Sequence, residues 1–322
     1  MWRAGDKPSG IIANASRRTL LRGAALGAAA LAAPAVARRA LAAPPTFKTV
    51  EDGYITIAMT GTMPVTGLKD GKIIGSDAEM IVAIAEKIGL KAKPSIMAWS
   101  ATIESIKSGR ADVMCGDMGW SAARANAMLL TDAIYYGGNY VTMKKDKLFS
   151  GSMPINAMGG HSVGTGQGYS YVPDIKKIPD IGEVKLYDNV DGCVRDILAG
   201  RIDFGVLDSM NVEYMLLQNP DLDLKLVPVQ PNTDYPNLSG KGRAVMGMNL
   251  QNPDLFDAMN AGVKWLWRTK QIGEILARNG MKSPDYLVPT ATDPRIGVDR
   301  DAQGNILGPA AHTPKDFSAL FV

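Results

Sequence analysis

Two short stretches of the chain repeat the same order of chemistry-bearing residues. Ser108-Gly109-Arg110-Ala111-Asp112 is followed by a second acid, Asp117, and Ala199-Gly200-Arg201-Ile202-Asp203 is followed by Asp208, with matching glycines and aspartates 91 positions apart. In each copy the glycine closes a helical pattern and the first aspartate opens a β-rich run. Ligands of open α/β sheets sit beyond the carboxyl ends of the strands, and Asp117 and Asp208 fall at those ends. Two copies at so long a period do not make a solenoid. They describe two α/β units of similar build.

Other chemistry is sparse. Gly164 to Gly168 forms a Gly-x-Gly-x-Gly string, but neither a Walker Lys-Ser/Thr nor a dinucleotide Gly-x-Gly-x-x-Gly accompanies it, so a flexible turn is expected rather than a phosphate cradle. His161 and His312 lack companions at metal-ligand spacing, and no metal or cofactor is implied. Asp299 to Asn305 resembles the start of a calcium loop, yet Ala310 stands at the twelfth position where an acid is required. A hairpin turning at Gly304 is expected instead. Cys115 and Cys193 flank apolar runs and read as buried free thiols.

The elements that position these residues follow from composition and pattern. With 322 residues, 46% hydrophobic and 21% charged, the chain suits a globular protein of two packed domains. Residues 20–36 form an apolar stretch too short and too weak to span a membrane, preceded by Arg17-Arg18 and followed by Ala40-Leu41-Ala42. That order reads as a twin-arginine export signal over residues 1–42 and a periplasmic destination. Without its seven basic residues and one acid, the remainder carries 28 basic against 31 acidic side chains. The electrostatic case for nucleic-acid binding then disappears.

From Tyr54 onward β-rich and helical runs alternate, the pattern of α/β units around mostly parallel sheets. Ile55 to Met59 reads as a strand, and Asp70-Gly71 as the turn of a tight hairpin. A helix follows, with Ser76 and Glu79 as a capping box, Met80, Ile81, Ile84 and Ile88 on one face, and Gly89 as its stop.

Taken in order, Gly75-Ser76-Asp77, Trp99, the two Gly-Arg-x-Asp segments, Ser121-Ala122-Ala123-Arg124, Thr131 to Tyr136 and Val163 to Gly168 resemble the family-3 extracellular solute-binding proteins over about residues 50–282. Those are periplasmic receptors that feed amino acids and related solutes to ABC importers. The resemblance implies a two-lobed periplasmic-binding-protein fold of type II, with a mostly parallel, helix-flanked sheet in each lobe and a two-strand hinge. Lobe 1 would hold residues 43–143 and 245–322, including an extension at 283–322 that reads as a polar surface strap. Lobe 2 would hold 144–244. The crossings would fall near Tyr140 to Lys145 and near Arg243 to Asn249.

The resemblance also assigns roles. Arg124, by itself readable as a surface arginine, matches the carboxylate-binding position, where a planar guanidinium gives two parallel charge-assisted bonds. The turn Gly168-Tyr169-Ser170 would clamp the same carboxylate from a helix N-terminus, and Asp208 would take the ammonium. Gly119, Trp99 and Thr62 complete the expected lining, with Thr62 in a segment where relatives carry an aromatic. Asp117 either pairs with Arg124 or faces the ligand and favours an extra positive charge on it. The partners implied are a small zwitterion and an inner-membrane ABC permease, and the receptor would be a monomer. Two other readings remain: a dehydratase-like periplasmic enzyme with Asp117 or Asp208 as its acid, and a sensing module for a signalling partner.

Overall fold

The computed structural model describes residues 46–147, 149, 151–290 and 292–322. The export signal expected at 1–42 lies outside them. Among the described residues, no helix is long and apolar enough to cross a membrane.

Two sheets organise the molecule. Strands β1 (Tyr54–Met59), β4 (Lys91–Ile96), β5 (Val113–Met114), β6 (Leu129–Leu130) and β13 (Gly247–Met248) form the first, in the order β4-β1-β5-β13-β6. β1 runs parallel to β4 and β5, and β13 is antiparallel to its neighbours. The hairpin β2 (Gly67–Lys69) and β3 (Lys72–Ile74) turns at Asp70 and Gly71, both at positive φ, as the sequence predicts. The second sheet has the order β11-β7-β10-β8-β9, built from β7 (Tyr135–Met143), β8 (Val163–Gly166), β9 (Val184–Tyr187), β10 (Phe204–Asp208) and β11 (Lys225–Pro228). β8 is parallel to β9 and β10, and β7 is antiparallel to β10 and β11.

Helices α1 (Ser76–Lys87) and α2 (Trp99–Lys107), with the single turn α3 (Ala122–Ala125), accompany the first sheet. The single turn α4 (Val172–Ile175), α5 (Val190–Leu198) and α6 (Ser209–Gln218) accompany the second, and α7 (Pro253–Arg268) and α8 (Gln271–Arg278) return to the first. On α1 the expected face is buried: Met80, Ile81 and Ile84 are inaccessible and Ile88 is nearly so. They pack with Phe256, Met259 and Val263 of α7. At Gly262 a Cβ would lie 2.4 Å from the Ile84 side chain, so the absent methyl group sets how closely the helices approach. The cap of α1 lies one residue earlier than expected. Gly75, at φ 98, is the N-cap, and its N–H donates to Glu79 Oε1 at 3.3 Å. A side chain there would collide with the backbone of Val65 and Thr66.

β7 has two halves with different partners. Its first half, Tyr135 to Gly138, pairs with β12 (Lys241–Ala244), whereas Asn139 to Met143 pairs inside the second sheet. The stretch from Tyr140 to Met143 thus lies within the second sheet. Tyr140 to Met143 is β-rich because it is a central strand, with Val141 and Met143 inaccessible in the second core. The strand β12 ends at Ala244.

Cys115 and Cys193 are buried free thiols in separate clusters. Asp301 accepts bonds from the N–H groups of Gln303 and Asn305, which closes the expected Gly304 turn on itself.

Candidate functional site

Asp77 is the foundation of the cleft. It is fully buried in the first turn of α1, and its Oδ2 accepts the N–H groups of Gly116 at 3.1 Å and Asp117 at 2.8 Å, and the Tyr135 hydroxyl at 3.3 Å. Burial raises its pKa, and those donors oppose the rise. The two N–H bonds hold the turn that follows β5, in which Gly116 has φ 118 and Asp117 φ 53. Left-handed backbone at a non-glycine residue costs on the order of 1 kcal/mol and persists where its surroundings enforce it.

Seven residues later the chain supplies a cation. Ser121 caps α3, its Oγ accepting the Arg124 N–H at 3.3 Å, as the motif predicts. The buried Arg124 donates from Nη1 to the Gly119 carbonyl at 2.6 Å and from Nη2 to the Gly168 carbonyl at 3.0 Å. Its guanidinium carbon lies 5.4 Å from the centre of the Trp99 ring. Burial lowers its pKa to about 10, so it remains charged at neutral pH. Two of the five N–H groups of a guanidinium are thereby engaged.

Asp208 ends β10 and occupies the N-cap of α6, yet its carboxylate makes no capping bond. Oδ1 instead accepts the Tyr171 hydroxyl at 3.3 Å. Burial pushes its pKa up to about 6, against the pull of Tyr171 and Arg124. Asp117 is also raised well above the carboxylate range, first by burial and then by the charges of Asp208 and Asp77.

These groups line one cavity of about 150 Å³. Trp99, Asp117, Gly119 and Arg124 reach it from elements around the first sheet, and Tyr169, Ser170 and Asp208 from those around the second. A Cβ on Gly119 would stand 3.6 Å from Ser170 Oγ, so the two sides approach closely there. Thr62 lines an adjoining cavity of about 230 Å³ that shares Trp99, Gly116 and Tyr169 with the first.

Two expectations need correcting. Asp117 forms no ion pair with Arg124 among the described residues. The Asp77-held turn sets Asp117 beside the Tyr135 hydroxyl, and the guanidinium bonds two backbone carbonyls instead. Ser170 does not open a helix directly, because α4 begins at Val172 with Tyr171 as its cap.

The sequence reading missed several groups. Tyr171 holds Asp208, Trp120 and Arg243 line the cavity, and Asn211 lines its neighbour. Among the described residues, Trp120 Nε1 and Asn211 Oδ1 are buried without partners, one a donor and the other an acceptor. Position beside Gly119 and Asp208 was their only signal.

A cleft between two linked α/β lobes, with an arginine and a carboxylate converging on it, defines a binding protein that encloses a small solute. The chain matches the model of the bacterial extracellular solute-binding proteins, family 3, over residues 55–281, and it belongs to that family. It is 25% identical over 179 residues to the probable amino-acid-binding protein YxeM of Bacillus subtilis (strain 168), covering 55% of this chain and 67% of that protein. It is 25% identical over 166 residues to the L-cystine-binding protein TcyJ of Escherichia coli (strain K12), covering 51% and 62%. The matches thus span about two thirds of these relatives. Among solved structures, an ancestral arginine-binding protein bound to arginine superposes with TM-score 0.63 at 22% identity, over 71% of this chain and 98% of that one. The family and these relatives are binding proteins, which sets aside the dehydratase alternative.

Proposed function

We propose that this protein is a periplasmic receptor that closes two lobes over an amino acid or close derivative and presents it to an ABC permease. One observation carries the reading: Arg124, from around the first sheet, and Asp208, from the second, line the same cavity. Such a pair suits a molecule bearing a carboxylate and an ammonium a short distance apart. The Trp120 N–H, in the same wall and without a partner among the described residues, adds a donor for the carboxylate end.

Asp117 and Asp208 together outnumber Arg124 on the cavity floor. Lys241 and Arg243 also line it, but Arg243 is paired with Asp293 and Lys241 is turned to the Val288 carbonyl. A solute with a second positive charge would relieve the repulsion between the acids. Calorimetric titration should therefore give lysine- or arginine-like solutes tighter binding than neutral amino acids of similar size, and Asp117→Ser should erase the difference. Equal affinities in the parent protein would remove the cationic part of the proposal. Failure of every amino acid to bind, with none co-purifying in native mass spectrometry, would remove the whole.

Export completes the reading. We assign residues 1–42 to a twin-arginine signal, so replacing Arg17 and Arg18 with lysine should keep the protein out of the periplasmic fraction. The receptor is expected to elute as a monomer.

A further inference from the structure

Residues beyond 281 lie outside the family match, yet they are built into the molecule. Tyr286 is buried in the first core and packs edge-on against Tyr135 at the start of β7. Further along, Arg295 and Arg300 are buried and donate to the carbonyls of Leu130 and Thr131 beside β6. The segment is thus fixed to the first lobe at both ends.

Between those anchors it meets α6 and β12. The Tyr286 hydroxyl donates to Glu213 Oε2 at 3.3 Å, and Glu213 belongs to α6 of the second lobe. Lys241, on β12, donates to the Val288 carbonyl at 2.9 Å. Arg243, two residues on, donates to Thr290 Oγ1 at 2.5 Å and to the Thr292 carbonyl at 2.7 Å. Pro294 and Arg243 both line the solute cavity. On the cavity side, the lobes are joined by the bonds from Trp99 and Arg124 to the Gly168 carbonyl. The Tyr286–Glu213 bond is a further cross-lobe tie, made by a segment the family model does not include.

We infer that residues 284–290 and 292–294 are positioning residues for the cleft: through Tyr286–Glu213 and the clamp on β12, they hold the lobes in the closed arrangement and so set the fraction of receptor able to bind. The inference needs the two-lobed fold but not the identity of the solute. A ligand's apparent affinity scales with the competent fraction, so loosening the strap weakens binding without touching the groups that grip the solute.

Spin labels on Lys69→Cys and Lys176→Cys, one exposed site in each lobe, report the separation of the lobes in the full, solute-free chain. Cys115 and Cys193 are buried and will not compete for the label. Tyr286→Phe keeps the ring against Tyr135 and removes only the hydroxyl, and Glu213→Gln alters the other partner. Each should move population from the short to the long distance, and the double variant should move no more than either single one. Where a binding solute is in hand, its affinity should fall about three- to tenfold, as for one partly exposed bond to a charged group. Distance distributions of both variants superposing on the parent's would overturn the inference. A shift with no amino acid bound by any form would leave it standing and count against the proposed solute alone.

Discussion

The two copies of the Gly-Arg-x-Asp segment share a backbone device and differ in charge. Gly109 and Gly200 both sit at φ 69 just past the ends of α2 and α5. Asp112 Oδ2 accepts the Thr56 N–H at 2.7 Å while its own N–H donates to the Thr56 carbonyl at 3.0 Å. Asp203 Oδ2 accepts the Ser162 N–H at 3.1 Å and returns an N–H to the Ser162 carbonyl at 3.2 Å. Each aspartate thus stitches the start of its own strand to a parallel neighbour. Burial works to raise Asp203, but Ser162 and Lys147 prevail and bring it down to about 2. Asp112 has no such cation, and burial raises it. The stitch fixes the spacing, and the charge around it is free to vary.

The later acids diverge in the same way. Asp208 closes a five-residue strand, whereas Asp117 lies three residues past a two-residue strand in a left-handed turn. Only the second placement needs a helper, and the buried Asp77 supplies it.

The largest test of this division separates grip from stitch. Arg124→Ala and Asp208→Asn should each weaken solute binding on the order of 100-fold, the scale for losing one partner of a desolvated, hydrogen-bonded charge, while Asp112→Asn and Asp203→Asn should leave it nearly unchanged in the folded protein. Calorimetric titration of all four decides it, and comparable losses in both sets would collapse the distinction. Next come the stitches themselves. Each Asn variant should cost about 1 to 3 kcal/mol in urea unfolding at neutral pH, with the strand-starting N–H left short of a charged acceptor.

Their pH dependence should run in opposite directions. Asp203 is depressed below its ordinary 3.8, so its contribution is present above that value and is lost as pH falls toward 2. Asp112 is raised, so its ionisation costs stability as pH climbs from 3.8 through the raised value. Between pH 5 and pH 3, the penalty of Asp203→Asn should shrink and that of Asp112→Asn should grow. Slopes of the same sign would contradict the difference in surroundings.

The smallest effect concerns the solute-free cleft. Because Asp208 is raised to about 6, its folded form favours the proton, and stability is lost as pH rises from 3.8 through 6. Asp208→Asn should therefore melt higher than the parent at pH 7.5 by a few degrees, a margin that narrows at pH 4.5.

What the sequence revealed depended on how local the cause was. The repeat could be read because a positive-φ glycine and an aspartate three residues away act within one turn and one strand. Asp208 stood out at a strand end, but Arg124 and the pairing of the two emerged only by resemblance, since nothing near either residue in the chain shows that they share a cavity. Asp77 belonged to a recognised motif, but its hold on the Asp117 turn spans 40 residues and left no periodic trace. The end of the chain was the most misleading. Residues 283–322 read as a polar strap, yet Arg295 and Arg300 are almost wholly inaccessible, a burial that depends on carbonyls more than 160 positions upstream.

Those two arginines bear on how the gene is handled. A fragment cut where the homology stops would shed the donors that meet the Leu130 and Thr131 oxygens, and with them Phe321, whose ring covers Trp265. The product would present dry oxygens and bare aromatic surface to water, so a recombinant version trimmed to the family outline should precipitate where the full-length chain remains dissolved.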